Sequence, residues 1–152
     1  MRVIIVGRDR ENLMSLVDKL THNNFEVIVV DNSSAVLSYI KNGGIQFLLA
    51  DAPLLVDHGL GREVLQRCPL ARLVALAAQP TRLGMVDALA GGLTDYFPRL
   101  PVYFDDVLKT LLRERKRLKR WQRILLSDEV LSEGGDSANG DSAEPRLESV
   151  DN

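Results

Sequence analysis

Five short apolar runs, four of them rich in β-branched or large aliphatic residues, alternate with segments of helical spacing through the first hundred residues. No other feature constrains the fold as strongly. The runs are VIIV at 3–6, EVIVV at 26–30, QFLLA at 46–50, RLVALA at 72–77 and TDYF at 94–97. The first, third and fourth are nearly continuous in hydrophobicity, as expected of central parallel strands covered on both faces. Between the first two, Leu13, Leu16, Val17 and Leu20 recur at i, i+3, i+4 and i+7, the stripe of an amphipathic helix, with Asn12 or Asp9 as its cap. SSAVLSYIKNGG opens on the capping residues Ser33 and Ser34 and stops at Gly43 and Gly44. GREVLQRC and RLGMVDALAGG repeat the helical pattern more loosely. The chain is therefore expected to be an α/β protein with a doubly wound, five-stranded parallel sheet.

The pattern changes at Phe104. Val107, Leu111, Leu118, Trp121 and Leu125 recur at spacings of four and three, interrupted by Glu114, and predict one long helix to about Leu126 with a narrow apolar seam. Its other faces carry Lys109, Arg113, Arg115, Lys116, Arg117, Lys119, Arg120 and Arg123. The end of the chain is rich in Gly, Ser, Asp and Glu, with few apolar side chains to bury, and is expected to be disordered. The organisation read from these shifts is a domain over 1–112, a basic helical extension over 113–126 and an acidic tail over 127–152.

With 152 residues and a net charge of -2, the chain has room for one hydrophobic core and no overall nucleic-acid signature. The single cysteine, Cys68, excludes an internal disulfide, and with only His22 and His58 beside it no thiolate or imidazole zinc site is expected. Together with the lack of a signal-like or membrane-spanning run, this predicts a cytoplasmic protein. Cys68 reads as a core thiol, and His58 as a solvated loop residue near the strand ends. A lone Gly7 is no dinucleotide fingerprint.

Open parallel sheets place their functional crevice outside the carboxyl ends of the strands. Those ends carry Gly7, Arg8 and Asp9 after the first strand, Asp51 after the third, Ala77 and Ala78 after the fourth, and Pro98 and Arg99 after the fifth. From Arg2 to about Leu112 the chain resembles the receiver domains of bacterial two-component response regulators, the CheY-like superfamily. VIIVGRDRENL stands where that family has a strand, an acidic pair and a helix-opening leucine. FLLADAPLLVDHGL resembles the phosphoacceptor strand, with Asp51 at the aspartate position and Gly59 eight residues on. ALAGGLTDYFPR resembles the run that precedes the family's lysine.

The resemblance implies strand order 2-1-3-4-5 and makes Asp51 the candidate phosphoacceptor. It also marks departures. Gly7 and Arg8 stand at the magnesium-binding acidic pair, or Arg8 and Asp9 with a one-residue slip. Ala77 replaces the hydroxyl residue and Arg99 the lysine, and Leu100 rather than proline follows Arg99. Magnesium needs an oxygen shell that includes carboxylates, and phosphoryl transfer consists mainly of positioning and charge stabilisation. No cofactor, no metal and no enzymatic activity are therefore expected.

The reading that follows is a noncatalytic pseudo-receiver that works as a protein–protein interaction or scaffold module in bacterial signal transduction. The resemblance implies that its surface is formed by the helix over 82–90, the fifth strand and the last helix. The seam Val107, Leu111, Leu118, Trp121 and Leu125 would supply a homodimer or docking contact. Arg8 or Arg99 would pair with Asp51 and supply permanent positive charge; the plainer alternative is that Asp51 caps a loop and Arg8 points into solvent. Two other functions stay open: a phospho-accepting response regulator using Asp51, and a nucleic-acid-binding protein using the basic helix. No membrane partner is expected.

Overall fold

The structure, a computed structural model, describes residues 1–7, 10–41 and 45–135, with side chains up to Ser127 except that of Arg10. Five strands, β1 (Arg2–Val6), β2 (Glu26–Val30), β3 (Phe47–Asp51), β4 (Arg72–Ala77) and β5 (Asp95–Pro98), alternate with helices α1 (Arg10–His22), α2 (Ser33–Lys41), α3 (Ala52–Val56), α4 (Leu60–Arg67), α5 (Arg82–Ala90) and α6 (Phe104–Gly135). The strands form one parallel sheet in the order β2-β1-β3-β4-β5, as expected. The chain divides into two compact units, Met1–Arg115 and Lys116–Asn152.

In the first unit, β1, β3 and β4 are buried along almost their whole length, while the edge strands β2 and β5 are mostly half-buried. That gradient is what the continuous apolar runs at 3–6, 46–50 and 72–77 encode. Side chains alternate across the sheet. Ile4, Val6, Leu48, Ala50, Leu73 and Ala75 join one cluster with Val36 and Ile40 of α2, Leu55 of α3, Leu60 and Val64 of α4 and Ala88 of α5. By alternation, Val3, Ile5, Phe47, Leu49, Val74 and Leu76 face the other way and are buried as well. On that side the ring of Phe25 meets Phe47 edge-on at 5.6 Å. Arg115 stacks over Phe25 at 4.3 Å and donates to the Asn23 carbonyl at 2.6 Å, which fixes α6 to the turn before β2.

Several local expectations need correction. Ser33 and Ser34 do not cap α2: they are its first helical residues, and Asn32 caps it by accepting the Ala35 N–H at 2.9 Å. Asn12 lies inside α1 rather than at its start, and the other proposed cap, Asp9, lies outside the described residues, as do Gly43 and Gly44. The five-residue helix α3 was not expected from the sequence. It starts directly after Asp51 with Pro53 in its first turn, where the missing N–H costs nothing. Cys68 is half-buried at the end of α4, packed against the core cluster rather than inside it. A 3-10 turn over Pro101–Tyr103 leads into α6.

The second unit contains the remainder of α6. The helix runs on through 127–135, the start of the segment expected to be a disordered tail, because Val130 and Leu131 continue the chain without a breaker until Gly134 and Gly135. Residues 136–152 lie outside the described residues. Among the described residues, no helix is long and apolar enough to cross a membrane.

Candidate functional site

Asp51 is the last residue of β3 and the residue immediately before α3, with extended backbone geometry and a side chain 43 % exposed. Arg99 follows β5. Its N–H donates to the Ala77 carbonyl at 2.8 Å, continuing the β4–β5 ladder and aiming the side chain across the strand ends. There Arg99 Nη1 donates to Asp51 Oδ1 at 3.0 Å. The guanidinium is mostly enclosed, with its side chain 15 % exposed. This is a charge-assisted contact at a partly dry position, where it is stronger than an open surface pair.

Gly7 lies beside the guanidinium. A Cβ at this position would stand 2.6 Å from Leu13 Cδ1, a clash within the packing of α1, and 3.4 Å from Arg99 Nη2, an ordinary contact. Arg99 Nη2 is buried and has no hydrogen-bond acceptor among the described residues. Arg8 and Asp9, also singled out in the sequence, lie outside the described residues.

Asp51 separates two hollows at the carboxyl ends of the strands. One, of about 570 Å³, is lined by Gly7, Asp31, Asn32, His58 and Arg99 as well as Asp51. The other, of about 410 Å³, has Ala77, Val56 and Tyr96 on its walls and Asp57 and Asp87 beside them. Ala77 is 3 % exposed and offers this second hollow only a methyl group. The Tyr96 hydroxyl accepts the Thr81 N–H at 3.3 Å, and Thr81 Oγ1 accepts the Gly84 N–H at 2.9 Å. Tyr96 is thereby held against the start of α5.

The crevice thus unites Gly7, Asp51, Ala77 and Arg99, and His58 borders it. It also holds Asp31, which sequence reasoning passed over. Asp31 directly follows the run EVIVV, so the strand-end rule applied to β2 would have found it. Thr81 carried a recognisable helix-capping signal before RLGM.

Among the described residues no three of His, Cys, Asp and Glu come together as a metal cluster.

The seam of α6 is divided. Val107 and Leu111 are fully buried in the first unit, so they are core residues and not free contacts for a partner. Leu118 is buried as well, Trp121 is half-buried and Leu125 is 52 % exposed.

No protein-family model matches the chain, and no curated protein matches it either. Solved structures do. A response regulator from Thermotoga maritima superimposes with a TM-score of 0.67 at 18% identity, over 74% of this chain and 95% of that one. The fold is that of response-regulator receiver domains. A CheY-like receiver domain protein from Methanospirillum hungatei gives 0.65 at 19% identity, over 78% and 96% of the two chains. A response regulator from Burkholderia pseudomallei, solved with a phosphorylated aspartic acid, a calcium ion and citrate, gives 0.62 at 19% identity over 96% and 91%.

Proposed function

We propose that the chain is a noncatalytic pseudo-receiver, a protein–protein interaction module in cytoplasmic bacterial signalling whose state is not set by magnesium-dependent phosphorylation. The observation that carries this reading is the contact between Arg99 Nη1 and Asp51 Oδ1 at 3.0 Å. The guanidinium gives Asp51 the positive partner that a metal or an incoming phosphodonor's counter-ion would otherwise supply. Ala77 offers no hydroxyl to orient a phosphoryl group, and the described donors offer no magnesium shell. A receiver-like crevice built this way favours one conformation, which a partner recognises.

The surface that fits such a partner is formed by α5 and the turn that follows β5. On α5 Leu83 is 71 % exposed and Val86 and Leu89 are exposed as well, and on the turn after β5 Leu100 is exposed and Val102 is 76 % exposed. Exposed large apolar side chains on these elements favour a contact surface. The exposed Leu125 and Leu126 favour a second contact, between copies of this chain, along the end of α6.

The test is incubation with a small-molecule phosphodonor and magnesium, followed by intact-mass measurement. We expect no stoichiometric adduct. An adduct that forms in the parent protein and disappears in Asp51→Asn would refute the proposal and establish phosphoacceptance instead.

A further inference from the structure

Within the second unit, Lys116, Lys119, Arg120 and Arg123 fall at i, i+3, i+4 and i+7 of α6, so they share one face of the helix over two turns. All four are exposed. Among the described residues none of them pairs with a carboxylate, and the sequence places no Asp or Glu between Glu114 and Asp128. Like charges at these spacings destabilise a helix. Among the described residues this repulsion is uncompensated, and an anionic partner would offset it.

We propose that this face binds the phosphate backbone of a duplex nucleic acid. Seven residues of helix span about 10 Å, a length over which a duplex presents on the order of six phosphate charges, enough for all four cations. The forks of Arg120 and Arg123 match phosphate oxygens two at a time. A membrane surface fits less well. An interfacial helix must insert a continuous apolar face, and the large apolar side chains exposed in this segment, Leu125 and Leu126, are adjacent residues at its end. Single strands fit less well too, because their binding relies on aromatic stacking. The one aromatic residue of this segment, Trp121, is half-buried and lies two residues from Arg123, about 160° round the helix. The proposal is independent of the crevice around Asp51 and stands or falls separately from it.

The experiment is fluorescence anisotropy of the full chain with short duplex DNA and, in a second arm, duplex RNA, between 50 and 200 mM salt. Four neutralised phosphates give a log–log salt slope of about -3.6 and an affinity loss of about 100-fold over that range. The double variant Lys119→Glu with Arg123→Glu should lower the slope to about -2 and weaken binding at least tenfold at the lowest salt, on the order of one slope unit per lost contact. A charge-matched control elsewhere, Lys41→Glu with Arg67→Glu, both exposed, should leave the slope unchanged. Binding in either arm with this pattern supports the proposal, and the ratio of the two affinities names the nucleic acid. Three results overturn it: no binding at the lowest salt, a slope untouched by the charge reversal, or capture by phosphatidylserine vesicles without binding to either duplex.

Discussion

The residue that interrupts the apolar seam of α6, Glu114, should be among the most consequential for stability. It is 3 % exposed, and its Oε1 lies 2.8 Å from Arg72 Nε at the start of β4, where the Arg72 side chain is 15 % exposed. The N–H is not aimed squarely at the oxygen, so the contact is an ion pair more than a straight hydrogen bond. Removing one member of a buried pair leaves the other charge uncompensated and costs ~3–5 kcal/mol. The lower end applies here, because Arg72 keeps some solvent contact and both residues have further polar interactions. Glu114→Ala should therefore cost about 3 kcal/mol, a shift of roughly 2 M in urea midpoint if m is about 1.5 kcal/mol/M. Replacing both partners with apolar side chains, Arg72→Met with Glu114→Leu, should recover most of that loss. Equilibrium urea unfolding of the parent, the single variant and the double variant measures both effects. A cost below about 1 kcal/mol for Glu114→Ala, or a double variant no more stable than the single one, would refute the reasoning.

Three further outcomes follow from geometry elsewhere in the first unit. Lys19 Nζ lies 2.8 Å from Asp105 Oδ1 in the first turn of α6, and its hydrogen bond and charge hold the Asp105 carboxyl below the ordinary carboxylate range. Because the folded value is the lower one, the pair's contribution is complete above the unfolded Asp value and disappears as pH falls through the folded value. Carbon-detected NMR titration should show Asp105 titrating at lower pH than a free aspartate, and Lys19→Met should move it back up. Gly61→Ala should destabilise by about 1–3 kcal/mol through overpacking, since its Cβ would meet the Leu55 carbonyl oxygen at 2.9 Å. Gly59→Ala has open space but a positive φ of 74° and should cost roughly 1–2 kcal/mol. Thermal unfolding that left Gly61→Ala at parent stability would contradict that close approach of α3 and α4.

The architecture was legible because strand periodicity and burial coincide. RLVALA at 72–77 and EVIVV at 26–30 are strands over those same residues, and continuous apolarity marked which strands are central. What the sequence hid is local. SSAVLSYI has serines where a cap is expected, yet Asn32 one residue earlier competes better for the Ala35 N–H. The helix α3 carries APLLV, an apolar pentapeptide too short for any period to declare itself. The seam of α6 was visible, but sequence spacing could not divide its buried residues, Val107 and Leu111, from the exposed Leu125. In the crevice, strand ends pointed to Asp51, Ala77 and Arg99, and the structure brings them together. The choice between Arg8 and Arg99 as a partner for Asp51 was open because both follow strand ends. A spacing in sequence does not say which side chain reaches across the sheet.

The reach of Arg99 also gives the departures at the strand ends a common physical logic. β3 and β5 flank β4 in the sheet, so a side chain leaving β5 must pass over the end of β4 to reach Asp51. Ala77, at that end, presents only a methyl group. Beyond it the guanidinium arrives beside Gly7, where an added Cβ would be in ordinary contact with Nη2 at 3.4 Å. A hydroxyl at 77 or a carboxylate at 7 would each add a competing polar group along this path, and a carboxylate at 7 would draw the guanidinium away from Asp51. Small residues at 7 and 77 with arginine at 99 are thus mutually consistent. A carboxylate introduced at 7 would therefore disturb the contact between Arg99 and Asp51.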